Sequence, residues 1–371
     1  MQVLIDHQIF TIQRYGGVSR YFVELARALN ARSDVAARLL APAYVNRYLS
    51  PQDALHPLSF AWDGPNRGVR FRPFVLRPLA WLAVRTARPA VWHETSYEAC
   101  IDRLPKGVAR VTTLHDMIVE RFPSHFANAE ERRLRKLAAM RRADLVICIS
   151  HATERDLLSF YPEFAGKTHV VHHGVAQARV EGPKPSNLPD NYLLYVGTRQ
   201  AYKNFDGLVR ALGASNKLPP DLQLVCFGGG ALTPAERKLV EESGFPLRRV
   251  RQMQGDDQLL SQAYRHARLF VFPSRYEGFG MPLTEAMVQG TPIACAKASC
   301  FPEICEDAAA YFDPDDLNDI RGCLESLLEN PDRLLALGRD SQQRAAVFTW
   351  QRCAEQTLMA YAKAVESHGV R

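Results

Sequence analysis

One stretch, Phe272–Pro302 (FPSRYEGFGMPLTEAMVQGTPIACAKASCFP), leaves this chain few folds to choose from. An apolar run, Arg268–Phe272, ends at Pro273, and residues 274–276 read as a turn. Glu277-Gly278-Phe279-Gly280 then opens a helix carrying Glu285, Gly290 stops it, and Pro292–Ala296 is a second apolar run. Two short buried strands joined by a glycine loop and a helix make a right-handed βαβ unit of a parallel sheet. Its loop lies at the carboxyl end of a strand, where open α/β sheets bind ligands. Glycines there let backbone N–H groups approach a ligand closely, and the helix N-terminus attracts phosphate. Glu277 and Glu285 are eight residues apart, two helical turns, so both are expected to face one cleft from different depths.

The rest of the chain repeats this alternation. Strands are expected at Gln2–His7, Val35–Leu40, Ala90–His93, Arg110–His115, Leu145–Ser150 and Val170–Gly174. A loop, Gln8–Gly17, ends in Gly16-Gly17 before an amphipathic helix, Val18–Leu29; the glycine pair suits either a plain turn or a phosphate cradle. His115-Asp116 stands at the carboxyl end of a buried strand, as a structural pair or as cleft-facing groups. Glu181–Asp190, EGPKPSNLPD, reads as a linker, giving domains at 1–183 and 184–350 and a closing helix within 351–371. The second domain repeats the pattern with strands Tyr192–Val196, Gln223–Phe227 and Val250–Gln254. Its first loop, Gly197-Thr198-Arg199-Gln200-Ala201-Tyr202-Lys203-Asn204, puts two cations at a strand-to-helix turn, which suits a diphosphate: Arg199 as a fork, Lys203 as a compact charge.

Charge divides unevenly. Residues 1–185 hold 26 Lys+Arg against 17 Asp+Glu, a net of +9, and the remainder 20 against 23, a net of −3, which sums to +6. A basic first half suggests an anionic surface or acceptor, and no nucleic-acid motif claims the charge. Residues 69–85 interleave Arg70, Arg72, Arg77 and Arg85 with Phe71, Phe74, Leu79, Trp81 and Leu82. That segment suits a core-packed helix with a basic edge, or one lying among anionic lipid heads. The basic helix Glu130–Arg142 supports the second option. No run approaches the length of a membrane span, Met1–Ile5 is no signal peptide, and eight cysteines without a C-x2-C pair favour a reducing cytoplasm. The lone D-x-D triplet, Asp313-Pro314-Asp315, reads as a turn after the core strands, so no metal site is expected.

The full pattern E-G-F-G-M-P-L-T-E-A-M, with Thr113-Leu114-His115-Asp116 and Gly16-Gly17, resembles the family 4 type of retaining, nucleotide-sugar-dependent glycosyltransferases. The resemblance spans most of the chain. It implies the GT-B fold: α/β, two facing Rossmann-like domains with a deep cleft, and a last helix crossing back to the first domain. The opening Asp6–Phe10 and Arg14–Tyr21 look like transferases of bacterial surface-polysaccharide assembly, which points to mannose from GDP-mannose, with a UDP-sugar as the alternative. The acceptor implied is a glycan, lipid-linked, reached at the inner face of the cell membrane, and the only ligand implied besides is the donor itself, with no metal or other cofactor.

The resemblance also assigns residues. Catalytic roles fall to His115, Asp116, Arg199, Lys203 and Glu277. Donor contacts fall to Gly16, Gly17, Gly197, Thr198, Arg199, Lys203, Asn204 and Gly229, then to Glu277, Gly278, Phe279, Gly280, Met281, Pro282, Leu283 and Glu285. Glu285 would hold the ribose hydroxyls, and Glu277 with the amides of Phe279 and Gly280 would contact the sugar. Two departures stand out: His173 replaces the usual asparagine before Gly174, and Tyr202 replaces the usual arginine before Lys203. Two other readings share parts of the pattern. A nucleotide-sugar epimerase would need acid/base carboxylates, and the E-x7-E spacing argues against it. A non-catalytic sensor would need only the second domain's loops, leaving His115-Asp116 unexplained.

Overall fold

The computed structural model describes residues 1–49, 60–61 and 72–369. Its contacts divide the chain into two compact units, Met1–Gly174 with Trp350–Arg371, and Val175–Thr349.

The first unit runs β1 (Gln2–Ile5), α1 (Gln8–Ile12), α2 (Gly17–Asn30), β2 (Ala36–Leu39), β3 (Ala43–Tyr44), β4 (Phe60–Ala61), α3 (Arg72–Ala87), β5 (Val91–Glu94) and β6 (Ala109–Leu114). It continues through α4 (Ile118–Arg121), α5 (Ala129–Arg142), β7 (Leu145–Cys148), α6 (His151–Phe160) and β8 (Thr168–Val170). Six strands form one parallel sheet in the order β2-β1-β5-β6-β7-β8. β5, β6 and β7 are buried along their whole length, as a sheet covered on both faces requires. On α2, Tyr21, Phe22, Leu25 and Leu29 recur at helical spacing and are fully buried, each contributing about 1.5–3 kcal/mol by leaving water.

The second unit carries β9 (Tyr192–Val196), α7 (Phe205–Gly213), β10 (Gln223–Phe227), α8 (Pro234–Glu242), β11 (Val250–Met253), α9 (Asp257–His266) and β12 (Leu269–Phe272). After these come α10 (Met281–Gln289), β13 (Ile293–Ala296), α11 (Phe301–Cys305), β14 (Ala310–Phe312), α12 (Leu317–Leu328) and α13 (Pro331–Ala345). Its sheet is also parallel and six-stranded, β11-β10-β9-β12-β13-β14. The last helix, α14 (Trp350–Gly369), belongs to the first unit and packs on α2 and β6. There the buried His93 ring joins it to the sheet, with Nδ1 2.7 Å from the Tyr361 hydroxyl and Nε2 2.8 Å from Thr113 Oγ1.

Strand order fixes where side chains meet. In each sheet the connections reverse direction once, between β1 and β5 and between β9 and β12, so the loops after those strands splay apart and leave a crevice.

Several expectations change. Residues 8–12, expected as loop, form a short helix, because Gln8, Ile9 and Phe10 are buried. Residues 181–190 are packed on the second unit: Gln262 Nε2 donates to the Glu181 carbonyl at 2.9 Å, and Arg251 Nη1 to the Asn187 carbonyl at 3.0 Å. The unit boundary falls earlier, after Gly174. Helix α10 starts at Met281, so Glu277 lies in the loop before it and the two-turn relation to Glu285 does not exist. Arg70 and Phe71 lie outside the described residues.

Candidate active site

The crevice of the second sheet is built from the loops after β9 and β12. Lys203, in a single 3-10 turn after β9, forms an ion pair through Nζ with Glu277 Oε1, and both side chains are mostly buried. The pair forms because β9 and β12 are neighbours. The Glu277 backbone is itself pinned: Ser299 Oγ donates to its carbonyl at 2.5 Å, and its N–H donates back at 3.4 Å. Gly280 precedes α10 with φ of +83°, a conformation glycine adopts without strain, and there it turns Met281 and Pro282 into the helix. Phe279 and Leu283 are buried, so their side chains are closed to a ligand. Further along α10, Glu285 Oε2 accepts from the Tyr264 hydroxyl at 3.3 Å. Burial, with the Glu285 charge beside it, holds the Tyr264 hydroxyl well above its ordinary pKa and so protonated as that donor.

Arg199 departs from its expected role. Nε donates to Glu236 at 2.8 Å, and Nη1 to Gln252 Oε1 at 3.0 Å and the Gly228 carbonyl at 3.3 Å. Nη2 donates to the carbonyls of Gly229, Gly230 and Ala231 at 3.2, 2.9 and 3.1 Å. All five N–H groups of the guanidinium thus have acceptors, and the fork holds the glycine loop after β10 rather than a phosphate. Gly229 sits under it at φ of +73°; a Cβ there would lie 2.8 Å from the Gly197 carbonyl and 3.0 Å from Arg199 Nη1. Asn204 also differs from expectation: it is fully buried, with Nδ2 donating to the Pro314 carbonyl at 2.8 Å, and its left-handed backbone starts α7. Gly197 and Thr198 complete the β9 loop, the Thr198 carbonyl accepting from the Tyr195 hydroxyl at 2.7 Å.

In the first unit, His115 and Asp116 follow β6 directly. The His115 ring lies edge-on to Tyr21, Phe22 and His173, and His173 stacks on Tyr21 at 4.5 Å. Burial pushes His115 down to about 4 despite the Asp116 charge beside it, so the ring is neutral near pH 7. Its Nε2 has no hydrogen-bond partner among the described residues. Asp116 Oδ1 accepts from the Ile118 N–H at 3.0 Å, and its side chain is 39% exposed, which leaves an oxygen for a ligand. Gly16 and Gly17 open α2, but the Ser19 N–H there already donates to Gln13 Oε1 at 3.2 Å, so the cradle is part filled by the protein's own side chain.

The comparisons with known proteins match both units. The pattern described as Glycosyltransferase Family 4 covers residues 15–179, and that described as Glycosyl transferases group 1 covers 178–344. The chain belongs to the family 4 glycosyltransferases. Among curated relatives of this glycosyltransferase is O-antigen chain mannosyltransferase B of Escherichia coli, 28% identical over 304 residues, 77% of each chain. O-antigen chain mannosyltransferase RfbU of Salmonella typhimurium is 22% identical over 325 residues, 86% of this chain and 89% of that one. Sucrose-phosphate synthase from Thermosynechococcus elongatus, a solved structure, superposes with a TM-score of 0.74 at 23% identity, covering 97% and 98% of the two chains. That likeness shows the fold, GT-B. The protein is therefore an enzyme of a retaining hexosyltransferase family that takes its sugar from a nucleotide sugar and hands it to a sugar acceptor.

Sequence reasoning missed what supports these groups. Tyr264 behind Glu285, Gln252 beneath Arg199 and Gln13 at the α2 N-terminus carry no motif. The basic helix α5 also reads differently in three dimensions. Arg133, Arg135, Lys136, Arg141 and Arg142 all form ion pairs, with Glu130, Glu98 and Glu131, Glu120, Glu163 and Glu94 in turn. Most of its charge is thus neutralised by the protein itself, which removes the support it lent to a membrane contact.

Proposed function

We propose that this glycosyltransferase moves mannose from GDP-mannose to a lipid-linked glycan during surface-polysaccharide assembly, and does so without a metal. The second unit is the donor half and the first the acceptor half. The observation that carries the reading is the Lys203–Glu277 pair in the crevice of the second sheet, with Glu285 on the helix that follows. The choice of mannose rests on the likeness to the O-antigen mannosyltransferases.

In this reading Lys203 and the start of α10 stabilise the departing diphosphate electrostatically. The bond from the anomeric carbon to the phosphate oxygen breaks, and a bond to the acceptor oxygen forms on the same face. The acceptor proton passes to the leaving phosphate, giving GDP and a mannoside of unchanged configuration. Glu285 accepts the ribose hydroxyls, since a carboxylate can take two such donors at once. Glu277 and the Phe279 and Gly280 amides hold the sugar, while Asp116 and the neutral His115 ring orient the sugar and acceptor hydroxyls. Membrane contact, if the acceptor is lipid-linked, falls to α3. That helix buries Leu76, Ala80 and Val84 and exposes Leu79, Trp81 and Leu82, with the Arg85 guanidinium 4.6 Å over the Trp81 ring.

The test is thermal-shift binding of GDP, UDP, ADP and dTDP, with EDTA present, to the wild type and Glu285→Ala. GDP alone should raise the wild-type melting point and lose that effect in the variant. A response to UDP instead would replace the donor, and an equal response in the variant would sink the donor site.

A further inference from the structure

Behind the His115-Asp116 loop lies a buried cation that no motif marks. Lys136 projects from α5 and its side chain is only 4% exposed, less than that of any other cation of the helix. Its Nζ donates to the Asp116 carbonyl at 2.9 Å and to Glu120 Oε2 at 2.8 Å, and lies 3.7 Å from Asp116 Oδ1. The Tyr97 ring covers it at 5.8 Å, and the hydroxyl of that tyrosine accepts from the His115 N–H at 3.3 Å. One ammonium therefore ties together the main chain at 116, the carboxylate of Asp116, α4 through Glu120, and the ring that holds the His115 backbone.

A buried ion pair is a poor way to gain stability. Taking both charges out of water is costly, and a hydrocarbon pair of similar size packs there as well or better. Glu120 is fully buried and its Oε1 has no partner among the described residues, so the pair is not even optimally satisfied. What a leucine and a methionine would not supply is a donor for the Asp116 carbonyl and a positive charge beside His115.

We propose that Lys136, held by Glu120, is a positioning residue for the transfer reaction, fixing the geometry of the His115-Asp116 loop. This rests on the reading of His115 and Asp116 as groups that orient sugar and acceptor. Displacement of such groups by an ångström costs on the order of 10²-fold in rate. The charge also acts on His115 through space. His115 faces Asp116 beside it, Lys136 from α5, His93 from β5, and His173 from the segment after β8, against the Tyr21 and Phe22 rings of α2. Of these only Lys136 is a permanent cation, and it favours the neutral ring.

The test uses the full chain as Lys136→Met and as the double variant Lys136→Met/Glu120→Leu, which removes both charges and is expected to fold. Three quantities are read: binding of GDP, kcat for transfer from GDP-mannose, and the pH titration of the His115 imidazole by NMR. Expected are unchanged GDP binding, kcat lower by on the order of 10²-fold in both variants, and a His115 titration moved to higher pH. A double variant that melts like the wild type, with kcat within threefold and an unmoved His115 titration, overturns the proposal. Loss of kcat that tracks a lowered melting point, with the titration unmoved, overturns it equally. A wild type inactive with every nucleotide sugar would instead sink the functional reading. The His115 titration and the melting curves would still decide whether Lys136 acts on the loop.

Discussion

Replacing Arg199 by Met separates two accounts of the second unit's cation pair. As a phosphate clamp, Arg199 would be needed for donor binding and catalysis, and its loss would leave the fold intact. The geometry assigns it to the loop. Its removal strands the carbonyls of Gly229, Gly230 and Ala231, the Gln252 amide oxygen and Glu236 Oε1, while the Gly228 carbonyl keeps Gln252 Nε2 at 2.7 Å. Breaking a buried ion pair from one side costs about 3–5 kcal/mol, and Glu236 is partly exposed, so the lower end applies: about 3 kcal/mol. For a unit of this size each kcal/mol moves the melting point by roughly 2–4 °C, so the second unit should melt roughly 6–12 °C lower. Calorimetry on the whole protein reads this directly. Arg199→Lys should recover little, because a point ammonium cannot serve the acceptors spread around a planar fork. A variant that melts like the wild type but binds GDP much more weakly than it binds guanosine would refute the reasoning and restore the clamp.

Other perturbations follow from the same geometry. Tyr264→Phe removes the donor to Glu285 and should destabilise by about 1 kcal/mol while weakening GDP binding; unchanged binding would detach Glu285 from the donor site. Burial lowers His93 to about 3 and His115 to about 4, whereas in the unfolded chain both titrate near 6.5. Below pH 6.5 the unfolded state therefore binds protons that the folded state refuses, so stability should fall as pH drops from about 6.5 towards 4. Melting curves across that range should show a shallower slope for His93→Gln than for the wild type, and equal slopes would contradict the assignment. Trp81→Glu should abolish co-sedimentation with phosphatidylglycerol vesicles and leave GDP binding intact; sedimentation unaltered by the change would remove α3 from any membrane contact.

The parallel sheets were legible because their strands are short apolar runs bounded by Gly, Pro and polar turns. Tyr192–Val196 and Gln223–Phe227 match the sequence expectation residue for residue, and Ser150 caps α6 as its side chain suggests, accepting from the Thr153 N–H. The motif residues Lys203 and Glu277 came together because strand order makes their loops neighbours, an order that a run of βαβ units leaves open. Pairings between distant residues were not legible. Whether Arg199 reaches outward or folds onto residues 228–231 depends on acceptors about 30 positions away, and nothing local in the sequence records it. Lys136 looked like one cation among many in α5. A signal did exist: with Ala139 and Met140 it recurs at the three- and four-residue spacing of the helix's buried face. Gln8–Ile12 was missed for a similar reason, since five residues are too few to show a helical period.

The measurement that bears most directly on the central claim is transfer itself. Purified protein, GDP-mannose labelled in the sugar and a polyprenyl-linked oligosaccharide are incubated with EDTA, and the product linkage is read by NMR. The expected result is a labelled mannoside with the α configuration of the donor, formed with stoichiometric GDP, and lost in Glu277→Gln and Lys203→Met. An inverted product, transfer that needs a divalent cation, or transfer only from a UDP-sugar would contradict it.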